Sequence, residues 1–235
     1  MSEIAANLAW IQERIALACQ KAGRLRSEVQ LIAVSKTFGV AEIRDAAEGG
    51  QRDFGESRLQ EAEPKITILP GNLKWHFIGK LQRNKVRRIL PQFEFIHAVD
   101  SLKLASHMDE VSRELGIFPK IFLQINVGGE ASKGGYEPEA VFGEMEALLS
   151  LPRLAIIGLM CIPPVTPDAE SARPWFSSLR ILRDRLESDF NVSLPALSMG
   201  MSGDFDIAIE EGATHVRVGS AIFGKRAYRV DGELG

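Results

Sequence analysis

The sequence is short of cysteine and tyrosine, with two of each in 235 residues. Cys19 and Cys161 are too few and too far apart for a disulfide framework, and neither belongs to a metal-ligand or redox motif. A reduced compartment, the cytoplasm, is the expectation. No apolar run approaches the roughly 18 residues of a membrane span. The opening MSEIAANLAWIQER carries Glu3, Glu13 and Arg14 and lacks the charged-then-apolar layout of a secretory signal. Charge of one sign is also missing: the net value of −3 argues against a nucleic-acid surface. No Pro/Gly/Ser-rich linker or low-complexity tract divides the chain, so residues 1–235 read as one domain.

What remains is ordinary globular usage, 45% apolar and 25% charged, with length enough for a substantial core. Ile4, Leu8, Ile11 and Ile15 recur at helical spacing and predict a helix over residues 3–22. The run VQLIAVSK (29–36) then reads as a buried strand, followed by a helix over 40–49 that stops at Gly49–Gly50. The same alternation continues. Further strands are expected at 52–55, 73–79, 93–99, 120–127, 154–162, 194–199 and 214–219, with helices at 57–66, 81–90, 101–115, 138–149, 168–188 and 203–211. Eight β/α units in this length are the count of a closed (β/α)8 barrel. An open doubly wound sheet would announce a Gly-rich first turn, and SKTFGV (35–40) is not one.

In such a barrel the functional face lies at the C-terminal ends of the strands. Those ends supply Lys36, Gly55–Glu56–Ser57, His76, Gly79, His97, Asp100, Asn126, Met160, Ser198–Gly200–Ser202 and Arg217–Gly219–Ser220. A lysine at the mouth of a buried strand is partly desolvated, which favours the neutral amine that can attack a carbonyl. Lys36 could instead snorkel past the rim or pair with Glu56. SMGMSGDFDIAIEEG (198–212) and VRVGSAIFG (216–224) put Ser/Gly turns just before helical stretches at the last two strand ends, where barrels frequently hold phosphate. Each segment alone reads equally as a turn with Ser202 as a helix cap. Arg217, two residues before Gly219, shares its face and could reach the mouth or pair with Glu210 or Glu211. Lysine, phosphate cradle and arginine together suggest an aldehyde bearing a phosphate, of which pyridoxal 5′-phosphate is the obvious case. An arginine facing the pyridine nitrogen would leave that nitrogen unprotonated.

The segments LIAVSKT (31–37), FGESRLQE (54–61), WHFIGKLQRNK (75–85), GLMCIPP (158–164) and LSMGMSGDFDIAIEEGATHVRVGSAIFG (197–224) resemble the YggS/PROSC family of pyridoxal phosphate homeostasis proteins. The likeness runs from about residue 5 to 228. It implies a fold-type III barrel like that of alanine racemase, without the second β-domain, and the cofactor linked to Lys36. It also implies that Ser202, Gly219 and Ser220 hold the phosphate with Ser198 close by, and that Arg217 faces the ring nitrogen. Two positions depart from the family pattern: Ser57 stands where asparagine is usual, and Lys80 where histidine is common. The shorter Ser57 weakens any ring contact, and Lys80 adds a second amine near the mouth.

Other residues have plainer readings. His76 is either a packing residue or site-lining, His97 and Asp100 are turn or capping groups, and Met160 packs under the ligand or in the core. Glu130, Ser132 and Lys133 lie in a glycine-rich loop that is either a lid or a solvated connection. A racemase needs a second base, and the tyrosines here are Tyr136 in that loop and Tyr228 in the tail. The expected function is therefore to hold pyridoxal phosphate as a lysine imine with no catalysis of its own. The resemblance implies a part in intracellular homeostasis of the cofactor, and the expected partners of what reads as a monomer are B6 vitamers and recipient apo-enzymes. The alternatives are a pyridoxal-phosphate-dependent racemase or isomerase and a cofactor-free Schiff-base aldolase. Metal, nucleic acid and membrane play no part in any of these.

Overall fold

The computed structural model describes residues 2–130 and 133–224. Eight parallel strands close on themselves in chain order: β1 (Gln30–Val34), β2 (Asp53–Glu56), β3 (Lys74–Phe77), β4 (Phe95–Val99), β5 (Lys120–Ile125), β6 (Ala155–Cys161), β7 (Ala196–Ser198) and β8 (His215–Val218). Closure is made by β1 against β8, with Gln30 opposite His215 and Ala33 opposite Val218. The barrel is the predicted one, and the open sheet is excluded.

Around it run α1 (Glu3–Lys21), α2 (Val40–Glu48), α3 (Leu59–Ile68), α4 (Val86–Ile89), α5 (Leu102–Leu115), α6 (Ala140–Leu149), α7 (Arg173–Phe190), α8 (Phe205–Glu210) and α9 (Ser220–Phe223). The helix α1 buries Leu8, Ile11, Ile15, Ala18 and Cys19, one stripe of the expected helical period. It packs on the short α8 and α9 and so completes the helical ring beside β8. The helix expected over 81–90 is shorter: a 3₁₀ turn at Arg83–Lys85 leads into α4. Both cysteines are free and buried, and burial pushes the Cys161 thiol up to about 12.

Two apolar cores result. The larger fills the layer between barrel and helices. The smaller lies inside the barrel and contains Phe95, Ala98, Phe122, Met160 and Ala196. Two register shifts mark the wall, one of β5 against β6 between Ile121 and Phe122, and one that reshapes the interior, of β4 against β5 between Ile96 and Val99. A bulge puts consecutive residues on one side of a strand. Here Ile96 and Val99 join the outer core, while His97 stacks on the inner Phe122 and Ala98 joins the inner cluster.

Candidate functional site

Lys36 lies one residue beyond buried Ser35, half-buried, in the turn that follows β1. That turn is tightly held. The Phe38 N–H donates to the Ser35 carbonyl at 3.1 Å, and the Thr37 N–H to Glu61 Oε2 at 3.1 Å. Thr37 has φ of 73°, a left-handed conformation costly for a β-branched residue and tolerated where the surroundings enforce it. Glu56, fully enclosed at the end of β2, accepts from Ser35 Oγ and from Lys65 Nζ, both at 2.7 Å. Lys65 also donates to the Ser35 carbonyl at 3.1 Å. Burial raises the Glu56 pKa, with Lys65 and Ser35 pulling against it.

Across the β1–β8 seam stands the second part of the mouth. The N–H groups of Gly219 and Ala221 converge on Ser202 Oγ, at 3.2 and 3.4 Å. Ser202 is thus no helix cap. Asp204 takes the capping position of α8, and its carboxylate accepts from the Met201 N–H at 2.6 Å. That bond lies in the turn before α8, while the β8–α9 turn carries the N–H groups that converge on Ser202, with Ser220 exposed at the rim. Gly200 is required beneath them: φ is 90°, and a Cβ would sit 2.6 Å from the Ala208 methyl.

Arg217 points into the barrel and is 5% exposed. Its Nη1 donates to Ser198 Oγ at 2.6 Å and its Nη2 to the Cys161 carbonyl at 2.8 Å. Glu210 and Glu211 are engaged elsewhere, with Lys21, Arg173 and Arg180, which removes the ion-pair reading of Arg217. Ser198 is fully buried beneath the mouth, between Arg217 and His97. Met160 lies level with Ser198 on the neighbouring strand and forms part of the apolar floor.

The structure corrects the readings of His97 and Asp100 and gives His76 the first of its two readings, a packed interior residue. His97 is neither turn nor cap; the β4 bulge turns it inward, where Nδ1 lies 2.8 Å from Ser198 Oγ and Nε2 3.0 Å from His76 Nδ1. His76 lies below it at the barrel centre, stacked on Phe95 and bound through Nε2 to Asp53 at 3.1 Å, so it does not line the mouth itself. The α5 cap is Ser101 rather than Asp100. Ser57 and Lys80 line a cleft of about 260 Å³ with Arg58, Gln82, Lys85 and Ile89, which places them over the outer core. Asn126 and Gln124 strap the glycine-rich loop through the Glu130 and Lys133 carbonyls, and Lys133 Nζ donates to the Pro163 carbonyl at 2.6 Å. Ser132 and Tyr228 lie outside the described residues.

Asp53 and Lys65 are the residues that pattern reading does not single out, and His97 is one that it assigns to the wrong role. Lys65 was detectable, because Leu59, Ala62 and Lys65 form one buried stripe of α3 and a lysine there must find a carboxylate. Among the described residues no cluster of histidine, cysteine or carboxylate side chains could hold a metal ion.

The alanine racemase N-terminal domain model matches residues 4–227. A pyridoxal phosphate homeostasis protein of Pseudomonas aeruginosa is 47% identical over 97% of this chain and 98% of its own. PipY of Synechococcus elongatus PCC7942, whose structure has pyridoxal phosphate bound, matches at TM-score 0.80 and 42% identity over 91% of this chain and 100% of its own. An alanine racemase of Clostridium difficile 630 shares the fold, with TM-score 0.72 at 18% identity over 96% of this chain and 61% of its own. With the racemase-domain model matched over residues 4–227 and 44–47% identity to pyridoxal phosphate homeostasis proteins over at least 94% of the chain, the chain belongs to the alanine racemase N-terminal domain family and, within it, to the pyridoxal phosphate homeostasis proteins.

Proposed function

We propose that this chain binds pyridoxal 5′-phosphate at the barrel mouth through an imine to Lys36 and serves intracellular homeostasis of the cofactor, with no reaction of its own. The observation that carries this reading is the meeting of three groups at the β1–β8 seam. The Lys36 turn ends β1, the Gly219 and Ala221 N–H groups converge on one oxygen, and Arg217 is held below. That donor set fits a phosphate and a pyridine ring. Two backbone N–H groups with the Ser202 and Ser220 hydroxyls suit the phosphate, and a guanidinium with no lone pair suits an unprotonated ring nitrogen. The linkage forms as the Lys36 amine adds to the aldehyde and water leaves. Ser198 acts through Arg217, Met160 supplies the floor, and His76 supports from beneath. Ser57 and Lys80, facing the outer cleft, are given no part.

The names of the relatives, pyridoxal phosphate homeostasis proteins, support the same reading. Tyr136, the candidate second base, is packed in the outer core, and burial with nearby Glu144 pushes its phenol far above the usual range. No described helix is long and apolar enough to cross a membrane. We extend the reading to a cytoplasmic monomer that binds B6 vitamers and gives up the cofactor to apo-enzymes that require it.

The test is borohydride reduction of the protein incubated with pyridoxal phosphate, then digestion and mass spectrometry. A phosphopyridoxyl adduct on Lys36, absent from Lys36→Ala, is the expected result. No adduct would revive the cofactor-free aldolase, an adduct on Lys80 would move the site, and sustained racemisation of L-alanine would replace the carrier with an enzyme.

A further inference from the structure

Beneath the mouth an unbroken hydrogen-bonded chain crosses the barrel interior. It runs from Arg217 Nη1 to Ser198 Oγ (2.6 Å), on to His97 Nδ1 (2.8 Å), from His97 Nε2 to His76 Nδ1 (3.0 Å), and from His76 Nε2 to Asp53 Oδ1 (3.1 Å). Both imidazoles are fully buried, as is Ser198. Aromatic faces enclose them: His76 stacks on Phe95 at 4.4 Å and His97 on Phe122 at 4.3 Å.

We propose that His76 and His97 are positioning residues for Arg217, forming a one-way relay that links the guanidinium to the Asp53 carboxylate with both imidazoles neutral and protonated on Nε2. The direction follows from what each end can do. A guanidinium only donates and an ionised carboxylate only accepts. Ser198 therefore accepts from Arg217 and donates its hydroxyl hydrogen bond to His97 Nδ1. His97 donates from Nε2 to His76 Nδ1, and His76 donates from Nε2 to Asp53. With neutral rings every donor in the relay meets an acceptor, the condition for a stable buried polar network.

The surroundings hold it in that state. Facing His76 are Asp53, His97 and His215, with Lys74 and Glu94 further out; facing His97 are His76, Ser198, His215 and Arg217. Burial dominates at both rings and lowers their pKa values, that of His97 far below its usual one. At Asp53 burial works the other way, yet the hydrogen bonds from His76 and Gln30 outweigh it and keep the carboxyl below its ordinary range. The relay adds a distant carboxylate to the nearer Asp204, which acts on the buried Arg217 through space, and it fixes one guanidinium edge so that the rest faces the mouth. The consequence for the ligand rests on the reading of the mouth as a pyridoxal phosphate site.

The test has one arm that needs no ligand. Nitrogen-15 spectra of the histidine side chains of the protein alone, from pH 5 to 8, should show His76 and His97 neutral throughout and protonated on Nε2. Either ring protonated on Nδ1, or titrating within that range, overturns the relay. The second arm compares His97→Gln with His97→Met. Glutamine can accept at Oε1 and donate at Nε2 and so preserves the direction, whereas methionine fills similar space and breaks it. His97→Met should weaken pyridoxal phosphate binding roughly tenfold, the worth of a hydrogen bond to a charged group, with His97→Gln within about threefold of the parent. Equal effects of the two would reduce His97 to a packing residue. Failure of the parent to bind the cofactor would defeat the functional reading and leave the relay to the spectra.

Discussion

Lys65 is a lysine only 7% exposed, paired with a glutamate that is not exposed at all. Removing one member of such a pair leaves an uncompensated buried charge and costs about 3–5 kcal/mol, whereas replacing both by apolar residues is often close to neutral. Lys65→Met should therefore lower stability by about that amount, and Glu56→Leu added to it should recover most of the loss, as read from urea midpoints. Glu56 already has one buried oxygen, Oε2, without a hydrogen-bond partner, which sharpens the contrast. If Lys65→Met alone proved neutral, the pair would be a bystander. Because Lys65 also holds the Ser35 carbonyl, the single variant should loosen the turn that presents Lys36. Arg217 illustrates the same logic differently: its hydrogen-bond partners on the barrel wall are a hydroxyl and a carbonyl, Asp204 offsets its charge from nearby, and a second carboxylate, Asp53, lies at the far end of the relay.

At the scale of elements, periodicity revealed the eight strands and their order, and it missed what a strand irregularity does. LIAV (31–34) and IIGLMC (156–161) are near-continuous apolar runs, the mark of parallel strands covered on both faces. Lys36, Arg217 and Gly219 were legible because they stand at the ends of such runs. FIHAV (95–99) is as apolar, yet the bulge within it has no sequence signature, so His97 looked like the residue before a turn. His76 was ambiguous because its partners Asp53 and His97 come from two other strands, 23 and 21 residues away. Alternation along a single strand carries no information on such partners. Gly79 shows the tightness of the joint between β2 and β3, for a Cβ there would lie 2.2 Å from the Ser57 carbonyl oxygen. Gly79→Ala must displace backbone rather than a flexible side chain, so it should cost about 3 kcal/mol, the upper part of the overpacking range. A loss under about 0.5 kcal/mol in chemical denaturation, the scale of an ordinary surface change, would mean that the β3–α4 connection yields instead.

At the scale of the whole molecule, the barrel interior sets how stability responds to pH. His76, His97 and His215 are all buried within it, and burial is the largest influence on each, lowering the pKa of the first, driving the second far down and bringing His215 to about 3. The unfolded chain titrates these rings near pH 6.5. Below that value the unfolded state takes up protons that the native state refuses, so the native state is stabilised above about pH 6.5 and loses that stability as pH falls toward 3. Each histidine contributes a slope of up to about 1.4 kcal/mol per pH unit. Glu56 and Asp204 work against them, since their raised pKa values make the native state the better proton binder there, but they are two groups against three and start from the lower carboxylate range. Denaturation in urea at pH 8, 7, 6 and 5 should show a plateau and then a decline that steepens below pH 6.5. His215→Phe, whose ring can keep the edge contact with Phe122, should reduce the steepest slope by about a third. A flat profile from pH 7 to 5, or an unchanged slope in the variant, would mean that the interior admits protons and that the three rings titrate in the native state.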